Sequence, residues 1–497
     1  MKSLVFSIAF LIGGATSLRA EEQTFFAFDD ISIPWRGNVK LTMMQADKHP
    51  ANPVLKHGPE GAPDHGHAIM YGSVLHIGGK FRMWYLGMTQ TVIEKGQAPG
   101  WWRPMCYAES DDGVIWTKPD LGLVQFNGSK KNNICLVESE PFSLSRVNDF
   151  LTVMHEPDEP DASKRYKCAF IAHVPFDEVK GGRSGIGPDE KRWGAFICAT
   201  SADGLSWKVV GDHPMNAGGE RFEVSGLYRF NGMYYAPGQL ITPWIFTPDG
   251  RDIGRAMRVY RSANFEDWDQ TTALGFARPG QLIAQPVKGQ QTHMGAGIWN
   301  RGNVLLGLYG QWQDAPQPPP KGAKSHLLGT RIDLGFITSN DGVHWREPVP
   351  DHKTIARGKD GEWDSIALLQ AHAFANVGEQ TFIWYSHWDC DGEFRNQDIG
   401  LVTLRRDGFG CLSAMKAGVP ATCETMFFDA AANEKLFVNA DGPVRIEVLD
   451  EKLKIIGTAE VTKSGTHVEA MKLPKGRVAV RATLGASRLY ALYIDAE

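Results

Sequence analysis

Five times along this chain a β-rich segment runs into the same short polar turn, and no other feature restricts the fold as much. The first four are Ala-Glu-Ser-Asp-Asp-Gly-Val-Ile-Trp ending at Trp116, Thr-Ser-Ala-Asp-Gly-Leu-Ser-Trp ending at Trp207, Tyr-Arg-Ser-Ala-Asn-Phe-Glu-Asp-Trp ending at Trp268 and Thr-Ser-Asn-Asp-Gly-Val-His-Trp ending at Trp345. The fifth, Leu-Arg-Arg-Asp-Gly-Phe from Leu404 to Phe409, lacks the Trp. Asp-Gly accepts the positive φ of a tight hairpin, and the indole covers the turn with apolar area. Before each turn lies a hairpin of alternating β residues ending in an aromatic strand: Gly72 to Tyr85, Asp149 to Phe170, Glu223 to Ala236, Ala296 to Tyr309 and Ala371 to Tyr385. Five inner hairpins and five outer turns predict an all-β fold, a five-bladed β-propeller. A stacked β-sandwich with accidental turn similarity is the alternative.

The propeller is expected over residues 25–412 and a small β-sandwich over 424–497, where short strands such as Val444-Arg-Ile-Glu-Val-Leu and Leu489-Tyr-Ala-Leu-Tyr-Ile follow one another. Pro316 to Pro320 reads as an exposed loop of the fourth blade. Residues 1–20 read as a secretory signal: Lys2, then an apolar run from Leu4 to Ala15, with cleavage after Ser17 or Ala20. That run is short for a membrane anchor, so a secreted or periplasmic protein is expected, with no membrane partner. A formal net charge of −5 offers no basic field for a polyanion, which excludes nucleic acid. Seven Cys leave at least one thiol unpaired; Cys168 with Cys198 and Cys411 with Cys423 are candidate disulfides by position alone.

A propeller presents the starts of its innermost strands to an axial funnel, so acids at those starts are the candidates for chemistry. Glu223 opens Glu-Val-Ser-Gly-Leu-Tyr-Arg-Phe-Asn-Gly-Met-Tyr-Tyr, and Asp149 opens Asp-Phe-Leu-Thr-Val. Each has an apolar residue four positions on, Leu227 and Val153, which places the two acids in one register.

This layout resembles the five-bladed furanosidase superfamily that includes glycoside hydrolase families 32 and 43. Glu223, Gly232 and Tyr234-Tyr235 match the family 43 acid motif and its Gly-Tyr-Tyr turn, although Val224 and Ser225 replace Gly-Pro. Asn52-Pro-Val-Leu55, Arg82-Met-Trp-Tyr85 and Tyr107-Ala-Glu-Ser110 through Asn132-Asn-Ile134 resemble uncharacterised bacterial family-32-like chains. The resemblance implies a glycosidase with three carboxylates from the first three blades, one protonated while another is ionised. It implies Glu223 as general acid and Asp149 as the tuning residue. In the first blade Met70 stands where the base should be; the nearest acid is Asp64, in Gly61-Ala-Pro-Asp-His-Gly-His67. Asp364 is a further funnel candidate, Asp398 a candidate strand-turn residue, and His65 and His67 candidates for a sugar hydroxyl or a metal. Trp101, Trp102, Trp244, Trp312 and Trp388 are candidate stacking surfaces for a sugar ring. No cofactor is required by such chemistry. The resemblance leaves room for a structural calcium near an axial His, His293 or His372.

The expected function is therefore a secreted, monomeric glycoside hydrolase with a carbohydrate substrate. The alternative is a non-catalytic glycan-binding propeller that lacks the first-blade base. A sialidase-like enzyme would need an Arg triad and a Tyr nucleophile that the sequence does not assemble. Phosphorolysis would need a basic pocket, for which Arg146, Arg221 and Arg395 are the candidates.

Overall fold

The computed structural model describes residues 23–91, 100–138, 147–175, 192–215, 222–240, 255–278, 290–392 apart from 314, 316, 318 and 326, and 397–495. The expected signal segment, residues 1–20, lies outside them. The chain is all-β, a β-propeller followed by a β-sandwich; its one helical element among the described residues is a 3-10 turn, Ala162–Lys164.

The repeated turns explain how the sheets stay in place. In the first, Ser110 Oγ accepts from the Gly113 amide at 2.9 Å and Asp112 Oδ1 accepts from Val114 and Ile115, both at 2.8 Å. Ser201 with Asp203 and Ser339 with Asp341 repeat this pattern, and Ser262 with Asn264 repeats it although Phe265 stands in the glycine's place. The turns then dock on the neighbouring sheet. The Trp84 indole donates to the Gly204 carbonyl, the Trp384 indole to Gly113 at 2.9 Å and the Tyr228 hydroxyl to Gly342. A Cβ on Gly113 or Gly204 would lie within 3 Å of these indoles, so close approach as well as positive φ requires glycine there.

The second and third blades are separate antiparallel sheets, each joined by one further short strand. The fourth, fifth and first run together into one 13-stranded sheet, partly because His372 and Ala373 pair in parallel with Ser73 and Val74. The ring is closed by the N-terminal strand Asp47–Lys48, which pairs with Ile399–Arg405 as the outer strand of the last blade.

The sandwich departs from the expected boundaries. Its two sheets take in Gln23–Phe26, Trp35–Gly37 and Val39–Met43 as well as Gly410–Ala414, so residues 25–43 and 410–412 belong to it and not to the propeller. The reason is local alternation: Phe25 and Ala27 face the sandwich core, while Phe26 and Phe28 face a cluster shared with Leu306, Phe336 and Phe409 of the propeller. At that seam Asp407 of the fifth turn, fully buried, accepts from Tyr493 at 2.9 Å and from Asn376, and pairs with Arg301. The turn that lost its Trp thus serves as the anchor between domains.

Neither expected disulfide forms. All seven Cys are free and buried. Cys168 and Cys198 sit on adjacent strands but one position out of register, opposite Ala199 and Ala169.

Candidate functional site: an axial pocket lined by Glu223

Each innermost strand is interrupted where it reaches the axis. The register slips between Ile69 and Ser73, between Asp149 and Thr152, and between His293 and Ala296. In the third blade Phe222–Val224 gives way to Tyr228–Phe230, and in the fifth Ala367–Leu369 gives way to His372–Val377. Such bulges re-aim side chains, and Phe150 (φ 60°) and Met294 (φ 65°) carry the strain of it. The result is a narrow shaft touched by Tyr71, Leu151, Ser225, Met294 and Gln370. It shares Tyr71, Phe150 and Met294 with an open pocket of about 270 Å³.

The pocket wall draws on every blade. The first contributes His67, Ile69, Tyr71 and Arg103, the second Phe150, and the third Glu223, Gln239 and Arg255. The fourth adds His293, Met294, Trp312 and Leu327, and the fifth Trp388 and Gln397. Glu223 is the only carboxylate among these described residues. Its cross-strand partner Gln239 donates Nε2–H to Glu223 Oε2 at 2.9 Å, and the Gln239 Oε1 accepts from the Met294 amide at 2.9 Å. That second bond fixes which end of the amide meets the carboxylate.

An aromatic wall completes the pocket. His293 stacks on Trp388 (centroids 5.2 Å apart, 19° between planes) and lies 5.1 Å from Trp312, while the Arg255 guanidinium sits 4.1 Å over the Trp312 ring. Burial, aided by Arg255, holds the His293 pKa well below its usual value, so the ring is neutral. Burial also raises Tyr71, whose phenol feels Arg103 and Arg255 in one direction and Glu223 in the other.

Of the residues singled out in the sequence, Glu223, His67, Trp312, Trp388 and His293 come together here. The Asp149 backbone pairs with Ile171 immediately before the pocket residue Phe150, and its side chain lies outside the described residues. Trp244, Arg146, Arg221 and Arg395 lie outside them entirely. Trp102 packs on Phe126 and does not line the pocket, and His65 bonds to Thr89 and the Ala62 carbonyl. His372 is at the inner strand of the fifth blade but does not line the pocket; burial pushes its pKa down to about 4.

The expectation that Asp64 and Asp364 project into the funnel is corrected. Asp64 is 1% exposed, accepts from Tyr85 Oη at 2.8 Å and pairs with Lys118 at 2.6 Å. Asp364, 2% exposed, accepts from Tyr385 Oη at 2.7 Å and pairs with Lys48. Both close the same loop, Gly58 and Gly358 each donating to the aspartate's carbonyl at 3.2 Å. Asp398 fixes His57. Met70 is fully buried in the core between the first and fifth blades. Among the described residues no three His, Cys, Asp or Glu side chains gather.

The sequence reading missed Gln239, Gln397, Arg103, Arg255 and Tyr71. Only Gln239 had a signal, its place directly across the hairpin from Glu223.

Fold and site define a propeller whose axial pocket is lined by Glu223 together with indole and imidazole rings. No family model matches the sequence, nor does any curated protein. Solved structures with a similar course of chain include a glycosyl hydrolase from Bacteroides ovatus, 11% identical, covering 73% of this chain and 94% of that one with a TM-score of 0.43. A β-1,2-mannobiose phosphorylase from Listeria innocua is 12% identical, with 73% and 97% covered and a TM-score of 0.44. A family 43 arabinoxylan arabinofuranohydrolase from Bacillus subtilis is 11% identical, with 90% and 99% covered and a TM-score of 0.37.

Proposed function

We propose that this protein is an exported glycan-processing enzyme that cleaves a glycosidic bond in its axial pocket, with Glu223 as the general acid. The observation that carries the reading is the placement of Glu223: a carboxyl group held by Gln239 on one oxygen, opposite an indole and imidazole wall suited to a sugar's apolar face. Asp149, one residue before Phe150, is the tuning residue. The chemistry needs two carboxyl groups in opposite protonation states and no cofactor.

A second reading, a glycan-binding propeller without turnover, is favoured by one observation. Among the described lining residues Glu223 has no second carboxylate beside it.

The test is release of reducing sugar from a panel of polysaccharides and nitrophenyl glycosides, with and without inorganic phosphate, alongside calorimetric binding. Glu223→Gln should lower turnover by about 10²–10⁴-fold and leave sugar binding in place. Binding without turnover by the wild type would establish the second reading. Neither binding nor turnover would end both.

A further inference from the structure

We propose that Gln397, with His293 in the same pocket, reads a pair of neighbouring hydroxyls on the bound sugar and so decides which sugar ring is accepted. This deepens the carbohydrate reading above and rests on it.

Gln397 is fully buried and lines the pocket, yet neither Nε2 nor Oε1 of its side chain has a hydrogen-bond partner. The backbone at this position is pinned: its carbonyl accepts from Ala68 at 2.9 Å, and the residue bridges in parallel to His67. The amide is therefore held bare on a fixed element. Buried polar groups in folded proteins are nearly always satisfied, and one left unsatisfied costs stability. An unsatisfied amide on a residue that lines a pocket is prepared for a ligand whose entry brings it partners.

The chemistry of the entrant follows from the group. In either orientation an amide offers one donor and one acceptor side by side. A carboxylate or phosphate would satisfy the N–H but repel Oε1, and an ammonium would satisfy Oε1 alone. Two adjacent hydroxyls, each able to donate and accept, satisfy both atoms at once. His293 repeats the pattern. It is 3% exposed, lines the same pocket, and its Nδ1 has no partner. Held neutral, it offers one donor and one acceptor nitrogen. Its stacking on Trp388 places these polar atoms beside an apolar face, the combination a pyranose or furanose ring presents in return.

The experiment is calorimetry on the whole protein with methyl glycosides of common hexoses and pentoses and their single-deoxy analogues, together with melting temperatures. For the wild type, removing one hydroxyl of the recognised pair should weaken binding by about 10- to 100-fold. Gln397→Met should bind the parent as weakly as the deoxy analogue while melting at the same or a higher temperature than the wild type. A merely structural glutamine would instead lower the melting temperature and leave that discrimination intact, which overturns the proposal. A wild type that tolerates every single-deoxy analogue within about threefold overturns it without any variant. If no glycoside binds at all, the carbohydrate reading itself falls; if glycosides bind and Gln397→Met keeps the discrimination, only the role of Gln397 does.

Discussion

Replacing Asp64 with Asn separates an architectural acid from a catalytic one. The Asp64 side chain is 2% exposed and the Lys118 side chain paired with it 27% exposed. Breaking a buried ion pair by removing one partner costs about 3–5 kcal/mol. Lys118 is partly wet, so solvent recovers some of that, and Asn keeps an oxygen for the Tyr85 hydroxyl. A loss of about 2–3 kcal/mol is expected for Asp64→Asn. Asp64→Ala also leaves the Tyr85 O–H without an acceptor, though its oxygen still accepts from Asn133, and should cost about 1–3 kcal/mol more. The assay is urea unfolding followed by Trp fluorescence, paired with sugar binding well below the unfolding midpoint. Binding per folded molecule should be unchanged, and Asp364→Asn should behave alike. The reasoning fails if Asp64→Asn unfolds within about 0.5 kcal/mol of the wild type, or if it stays stable and loses activity.

Two further outcomes follow from buried titratable groups. His372 has a folded pKa of about 4 against an ordinary 6.5, so the unfolded chain binds its proton first as pH falls; the stability it contributes is complete above pH 6.5 and lost toward about pH 4. The share at stake is on the order of 3 kcal/mol, and His372→Asn should flatten the fall in urea midpoint between pH 7 and 4.5; an unchanged slope would count against it. All seven thiols are free and buried, so a thiol reagent should find none in the native protein and seven after denaturation, with the melting temperature indifferent to reductant.

How much of this was legible depends on how local each interaction is. The Ser-x-Asp-Gly turns are written in consecutive residues, because Ser110 and Asp112 bond to amides no more than three positions away. Glu223 was found for the same reason: a strand start, its register and a hairpin fix its direction. Asp407 was not, since its partners Asn376, Tyr493 and Arg301 lie 31, 86 and 106 residues off. Asp64 was misplaced because Tyr85 and Lys118 decide its orientation from a distance. Yet a signal existed. Gly58-x-x-Gly61-x-x-Asp64 before Trp84-Tyr85 recurs as Gly358-x-x-Gly361-x-x-Asp364 before Trp384-Tyr385. An acid repeated together with its scaffold in two blades points to architecture, because a site on a single axis uses each role once. Gln397 left no trace in the sequence; only the emptiness around its amide distinguishes it.

The pairing of Gln23–Phe26 with Arg488–Asp495, and of Asp47–Lys48 with Ile399–Arg405, also sets an order of events. The described strands synthesised first receive their neighbours from among those synthesised last. A nascent chain can form individual hairpins as it emerges, but it has no closed ring and no complete sandwich until residues near 495 are free. Until then its earliest strands wait without partners, their edges open to aggregation.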